Sequence, residues 1–402
     1  MRTKFLFILI VSLISCAKQE DSVSDIVMPD ENDVRQSAIE TYCAFIGKQK
    51  TKSNQIEIAY SEILGPDIYL IQFIDGGFVV LKSYTEENLP LIVCESANYN
   101  TICDNPGFAR LTENIVTTYA GRNDDPGQMN DFIKEISISD TTTIEPLITA
   151  QFHQEEPFNL LAENSKSKAA GCVPIALALT MQILNYPDSL PLTYPGAEYA
   201  YALCNWEEIS EHINSIEYYN FFNQHDFNNC GICLNIARII HQIAHICEVN
   251  YEESQTSAYF KREYITNLGL SGTYEFGCNA SAIIDGLENG HPTVLLGSRI
   301  GNSQNSGHAF VADGSIEIVD TTIKKVISDP SDTRTTIRDR KYLHLNFGWT
   351  LGVYNGYYIA LDKTDSITSS GTTTTVDVAE LNELYSAYQI CNNLKPLESI
   401  LR

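Results

Sequence analysis

Positive charge is scarce in this chain. It carries 26 Lys and Arg against 51 Asp and Glu, a formal net charge of −25 over 402 residues. A surface of that sign repels phosphate backbones and anionic lipid faces, which argues against nucleic acid or a charged membrane surface as a partner. The acidity instead reads as solubility in an extracellular setting. Beyond a short N-terminal stretch there is no long apolar run, so no segment reads as a bilayer span. Internal repeats are missing too, and the one low-complexity tract, Thr368–Thr375, reads as a flexible loop. There is a single Cys-X-X-Cys pair, Cys230-Gly231-Ile232-Cys233, with no second pair and no thioredoxin-like βαβ pattern around it. It is read as a local disulfide or two unpaired thiols rather than a metal or redox site, and neither metal nor cofactor is expected. What is present is ordinary for a globular protein: 44% hydrophobic and 19% charged residues, enough for two domains or one large one.

The first residues bear on the compartment. Arg2 and Lys4 precede an apolar core of about ten residues, Phe5 to Ile14, and a small-residue junction at Ser15-Cys16. That run is too short to cross a bilayer and fits a secretory signal. Leu13-Ile14-Ser15-Cys16 resembles a bacterial lipobox, in which Cys16 is lipidated and becomes the mature N-terminus; an ordinary signal peptide is the alternative. Residues 1–16 are thus expected as a lipoprotein signal and 17–30 as a tether. The chain is then exported and anchored to the bacterial envelope, at the outer membrane or cell surface, and touches membrane only through its lipid. Export permits disulfides. Setting aside Cys16 and Cys172, the remaining cysteines are Cys43, Cys94, Cys103, Cys204, Cys230, Cys233, Cys247, Cys278 and Cys391. Their number is odd, so at least one is free or pairs between molecules.

Residues 31–120 read as a small α+β unit. A helix is expected over Ser37–Ile46, with strands at Ile56–Tyr60, Ile68–Phe73, Gly77–Leu81 and Leu91–Cys94. Residues 121–145 turn charged, Gly/Pro-rich and Ser/Thr-rich, which marks an exposed, protease-accessible linker. From 146 to 402, helices are expected at Val173–Leu184, Leu234–Ile246 and Ala280–Glu288. Strands follow at Thr293–Leu296, His308–Asp313, Ile316–Val319, Tyr342–Phe347 and Tyr354–Leu361. Helices first and strands later indicate an α+β fold with a helical half packed on an antiparallel sheet.

The chemistry centres on Cys172. The small residues Ala169-Ala170-Gly171 lead into it, a strongly apolar helical run follows, and Pro174 is tolerated in a first helical turn. At a helix N-terminus, unpaired N–H groups and the dipole favour thiolate over thiol. Alone, such a cysteine is either a nucleophile or a small buried hydrophobe. Thiol catalysis also needs an imidazole, a group to orient it and donors for an oxyanion. His308 opens an apolar strand after a Gly/Ser/Asn-rich loop. Asn346 lies on another strand, in His344-Leu345-Asn346-Phe347-Gly348-Trp349. Gln154, upstream of the cysteine, is a candidate second oxyanion donor beside the Cys172 N–H.

At these residues the chain resembles the streptopain family of papain-like bacterial cysteine peptidases. The matching segments are Gln154 with Pro157-Phe158-Asn159, Gly171-Cys172-Val173 through Asn185-Tyr186-Pro187, Gly307 to Val311, and Asn346 to Trp349 with Gly356-Tyr357. The segment Tyr69 to Ser96, with Gly76-Gly77-Phe78-Val79, is similar to that family's propeptide. The resemblance implies a papain-like fold behind an inhibitory prodomain at 31–120, an activation cut within 121–145, and a peptidase domain at 146–402. It also implies roles: Cys172 as nucleophile, His308 as acid/base, Asn346 as orienter, Gln154 and Cys172 as oxyanion hole, with Phe347, Trp349 and Gly307 shielding or lining the cleft. Partners would be protein or peptide substrates and the chain's own prodomain, and processing could release the mature enzyme.

Three departures from the family pattern stand out. Phe347 replaces a Trp, a polar segment at 318–341 lengthens the path between His308 and Asn346, and the helix after Cys172 is bulkier. His241 and His245 share a helix face but read as partly buried core, and His153 and His291 as structural or exposed. His344 shares a strand face with Asn346 and is a weak cleft candidate. Two other functions remain open on the same residues. One is a catalytically idle lipoprotein that binds peptides or inhibits a protease, and the other a papain-like amidase or acyl transferase.

Overall fold

The computed structural model describes residues 31–46, 56–74, 76–84, 88–97, 99, 106–120, 122, 132–162, 169–215, 218, 222–223, 227–251, 261–276, 279–297, 308–326, 333–368, 370–380 and 388–396. The lipobox Cys16, the tether and Gly307 lie outside them.

The N-terminal unit is helix α1 (Glu31–Ile46), strands β1 (Ile58–Gly65), β2 (Ile68–Phe73), β3 (Phe78–Ser83) and β4 (Asn88–Cys94), and helix α2 (Pro106–Ala120). Strands β2 and β3 are buried at every position. A strand without a wet face needs cover on both sides. Helix α2, which the sequence reading did not anticipate, provides part of it through Phe108, Leu111, Ile115 and Tyr119, a stripe at helical spacing.

The C-terminal unit contributes β5 (Phe132–Ile144), α3 (Cys172–Ile183), the small hairpin β6 (Ser189–Pro191) and β7 (Tyr201–Leu203), α4 (Trp206–Ile213), α5 (Gly231–Ile246) and α6 (Arg262–Asn267). Then come β8 (Leu270–Phe276), α7 (Ala280–Glu288), β9 (Thr293–Gly297), β10 (His308–Val326), β11 (Thr333–Asn346), β12 (Gly356–Thr368), β13 (Thr373–Glu380) and β14 (Tyr388–Pro396). The fold is α+β, helices on a large antiparallel sheet.

One sheet runs through both units in the order β1-β2-β3-β4-β12-β11-β10-β9-β14-β8, with β13 on β12 and β5 on β10. The junction is the antiparallel pairing of β4 with β12, Cys94 opposite Gly356 and Ile92 opposite Tyr358. Gly356 has φ +157°, and a Cβ there would fall onto the Val93 carbonyl, so the close approach of the two strands requires glycine. Successive residues of β12 point to opposite faces. Tyr357 meets Phe45 of α1 at 5.6 Å and Tyr358 meets Phe108 of α2 at 6.0 Å. The two N-terminal helices therefore lie on opposite faces and reach across the junction.

Strand β10 separates two cores. Phe310 and Ala312 join the core shared with the N-terminal unit, and Ala309 and Val311 join the helical core around α3 and α5. Helix α3 is apolar nearly all round because it is buried nearly all round.

Three expectations change. The linker is not irregular from Phe132 onward: β5 pairs with β10 from Phe132–Val326 to Ile144–Ser315. Ile136 and Ile138 alternate with polar residues, which suits a strand once a partner edge exists. The polar segment 318–341 continues β10 and β11 as one hairpin, Ile318 opposite Arg340 out to Lys325 opposite Thr333. Its charges pair across strands, Asp320 with Arg340 and Glu317 with Lys341, and Arg338 donates to both Asp362 oxygens at 2.9 and 3.1 Å. Within the tract 368–375, residues Thr373–Thr375 belong to β13, so only its first part is a turn.

Because Phe108 sits in a core common to both units, Phe108→Ala should cost about 3–5 kcal/mol. Both tryptophans, Trp206 and Trp349, belong to the C-terminal unit. Their fluorescence in a denaturant titration should nonetheless report the Phe108→Ala loss as a lower midpoint. An unchanged midpoint would mean that the two units unfold independently.

Candidate active site

Cys172 is the first residue of α3, half-buried where the helix meets the start of β10. The backbones of Ala309, Val173 and Cys172 itself lie close enough to its sulfur to favour the thiolate. Burial is the larger influence and holds the thiol above its usual range, while those three backbones pull the other way. Ala309 directly follows His308, so nucleophile helix and histidine strand meet at the sulfur. Gln154 is half-buried upstream. Its main-chain carbonyl accepts from the Ala170 N–H at 2.8 Å, which fastens the Gln154 turn to the approach to Cys172.

His308 is buried, and its Nε2 lies 2.8 Å from the Phe347 carbonyl oxygen. A carbonyl only accepts, so the neutral ring must carry its proton on Nε2. Nδ1 is left with the lone pair, the form a general base requires. Burial pushes the His308 pKa down to about 4, with the Phe347 carbonyl opposing. Phe347 and Trp349 rings stack on the imidazole at 6.0 and 5.7 Å. With Phe in place of Trp, an indole still covers the ring, supplied by Trp349.

Asn346 is buried but makes no hydrogen bond to the imidazole. Its Oδ1 accepts from Gln151 Nε2 and from the Gly348 N–H, both at 3.0 Å, and its Nδ2 donates to Gln151 Oε1 at 2.7 Å. Asn355 Nδ2 donates to the same Gln151 oxygen at 3.0 Å, and Asn355 Oδ1 accepts from the Phe347 N–H at 3.0 Å. The three amides thus fix the turn that presents the Phe347 carbonyl. Gly348, at φ +64°, completes it: a Cβ would come within 2.7 Å of Ile175 on α3.

Beside this network lies a cavity of about 380 Å³ lined by Gln151, Asn346, Asn355, His344, Asp313 and Glu95 among others. His344 Nδ1 is 2.6 Å from Asp313 and its Nε2 is 3.4 Å from Glu95, a residue of the N-terminal unit. Burial alone would lower its pKa, but the Asp313 charge and hydrogen bond, helped by Glu95, push it up to about 10. Asp313 also accepts from the Ile148 N–H at 3.2 Å. His153 is buried against Tyr218 at 3.3 Å, His241 packs between Tyr194 and Tyr251, and His245 is exposed.

Gln151, Asn355 and Asp313 escaped the sequence reading. Asp313 carried a signal, a lone carboxylate in an apolar strand. Gln151 stood between buried Ala150 and Phe152 with nothing to announce its partner.

Residues 152–358, just over half of the chain, match the Peptidase C10 family, and the chain belongs to it. This is the family of cysteine peptidases that the motifs resemble. The matched stretch holds Gln154, Cys172, His308 and Asn346 and stops short of the N-terminal unit. Among solved structures, a fragment of prointerpain A from Prevotella intermedia aligns with a TM-score of 0.47 at 17% identity, over 84% of this chain and 98% of that one. No curated protein sequence matches the chain.

With the thiol held high and the imidazole held low, both groups are neutral near pH 7 in this structure. Alkylation of Cys172 in the full chain, followed by peptide mass spectrometry, should therefore keep accelerating as pH rises through and beyond the usual thiol range, with no plateau at or below neutrality. A plateau below neutrality would reveal an ion pair already formed. Asn346→Ala and Gln151→Ala should lower kcat/KM by similar factors. Both should fall well short of the ~10⁴-fold loss typical when an imidazole's orienting side chain is replaced. A loss of that size in Asn346→Ala alone would place its amide on the ring during turnover.

Proposed function

We propose that the chain is the precursor of an exported, lipid-anchored cysteine endopeptidase whose N-terminal unit keeps it latent. The observation that carries this reading is the placing of Cys172, at the head of α3, against the backbone of Ala309, the residue that follows His308, whose Nε2 proton is fixed by the Phe347 carbonyl. Nδ1 takes the thiol proton as the sulfur attacks a peptide carbonyl. The oxyanion is held by the Cys172 N–H and Gln154, and Nδ1 passes its proton to the leaving amine nitrogen. Water, deprotonated by the same nitrogen, then cleaves the thioester and restores the thiol.

Latency is supported by how the N-terminal unit is seated. Strand β4 extends the peptidase sheet, Phe108 packs edge-on against Phe347 at 5.7 Å, and Glu95 faces His344. The group that orients His308 thus touches the segment that activation would remove. Export and the lipid on Cys16 rest on the basic, apolar and small-residue pattern of residues 1–16.

Under thiol-reducing conditions the wild-type chain should shorten to a fragment beginning between residues 110 and 150 and then cleave casein. Cys172→Ala should stay full length and inactive. Equal processing and casein cleavage in that variant would sink the mechanism.

A further inference from the structure

Helices α4 and α5 bring together three side chains that the peptidase chemistry does not use. Cys230 is the N-cap of α5 and Cys233 lies in its first turn, where the Cys233 N–H donates to Cys230 Sγ at 3.1 Å. His212, in the last turn of α4, places Nε2 3.1 Å from Cys230 Sγ and 3.4 Å from Cys233 Sγ. All three are buried, at 4%, 0% and 9% exposure, inside the helical core. We propose that His212, Cys230 and Cys233 form a binding site for Zn²⁺ when the two cysteines are reduced.

The donor set is the first reason. Two thiolates and one neutral imidazole nitrogen are a borderline-soft combination that suits zinc, and carboxylate-loving cations would gain little from it. Geometry is the second. Zn–S near 2.3 Å and Zn–N near 2.0–2.1 Å in a tetrahedron imply an S···N separation of about 3.6 Å. The two observed separations need to open by only a few tenths of an ångström. The third is the helix terminus, where free N–H groups and the α5 dipole stabilise both thiolates.

In the structure Cys230 and Cys233 are joined as a disulfide. That bridge closes a loop of only a few residues, the kind that restrains an unfolded chain least. The reducing conditions that a thiol peptidase requires at Cys172 act on this buried bridge as well. A small thiol reduces it in two exchange steps: two RSH give up two electrons and two protons, leaving RSSR and the two cysteine thiols. Zinc then displaces both thiol protons, takes the His212 Nε2 lone pair, and keeps a water as fourth ligand. The metal would brace α4 to α5, and α5 packs on the helix that carries Cys172. The site is thus gated by redox state: disulfide without metal, dithiol with metal.

The test uses the full chain carrying Cys172→Ala, which removes the catalytic thiol as a competing ligand and prevents processing. The protein is reduced with a phosphine, desalted without oxygen and titrated with Co²⁺ as a spectroscopic probe. One equivalent should bind with a thiolate-to-cobalt charge-transfer band and tetrahedral visible bands, and one equivalent of Zn²⁺ should erase both. Unreduced protein should show neither band. Cys230→Ser and His212→Asn should weaken Co²⁺ binding by roughly 100-fold or more, beyond what outer partners of a metal site commonly carry. Cys204→Ser, which changes a buried thiol outside the triad, should leave the bands intact and so separates ligand loss from damage to the helical core. Absence of the bands in the reduced parent, equal binding by the unreduced protein, or bands unaffected by Cys230→Ser would each overturn the proposal.

Discussion

The Phe347 peptide is held from several directions, and the imidazole of His308 takes its orientation from it. Its carbonyl receives the Nε2 proton, its N–H is fixed by Asn355, and its ring is wedged between His308, Phe310, Tyr358 and Phe108. A main-chain carbonyl differs from a side-chain amide as an orienting group. It offers only an acceptor, so it dictates the tautomer, and it moves only if the chain moves. The cost is that the turn must be held still, and the cluster of Gln151, Asn346 and Asn355 meets that need. Each buried amide there satisfies another, which avoids the penalty of desolvated polar groups while fixing a single geometry.

The continuous sheet links this site to the N-terminal unit. Strand β4 pairs with β12, and β12 begins two residues after Tyr354, the ring stacked on Phe108 at 4.4 Å. The same core holds Phe310 and Phe347 together with Phe78 and Phe108. Burial on this scale favours the docked state, and in that state the thiol is pushed up and the imidazole down. A neutral pair is what an enclosed, dry site favours, because separating charge there carries a desolvation penalty. Removing the N-terminal unit would therefore change the surroundings of the Phe347 peptide, which Phe108 packs against, and of His344, which Glu95 faces.

Much of the fold was legible in the sequence. Helix α7 falls on its expected residues, and α3 and α5 differ from expectation only at their ends, because apolar periodicity and capping residues such as Asn279 are local signals. Strands β5 and β10 were less legible. Polar alternation in 132–144 and 318–341 becomes a strand only when another edge satisfies its backbone, and that edge is distant in sequence. Helix α2 had its stripe of Phe108, Leu111, Ile115 and Tyr119 in plain view, unread.

The sequence by itself determined the chemical parts: a cysteine heading a buried helix, a histidine opening a strand, and amides in order around them, enough to name the family. Tertiary structure alone decided how those parts are joined. It put a carbonyl rather than Asn346 on the His308 ring, gave Asn346 to Gln151, brought Glu95 to His344, and set His212 against Cys230 and Cys233. Each of these is a contact between positions far apart in the chain, chosen by which polar atoms find partners once apolar faces are buried. No local pattern records that choice.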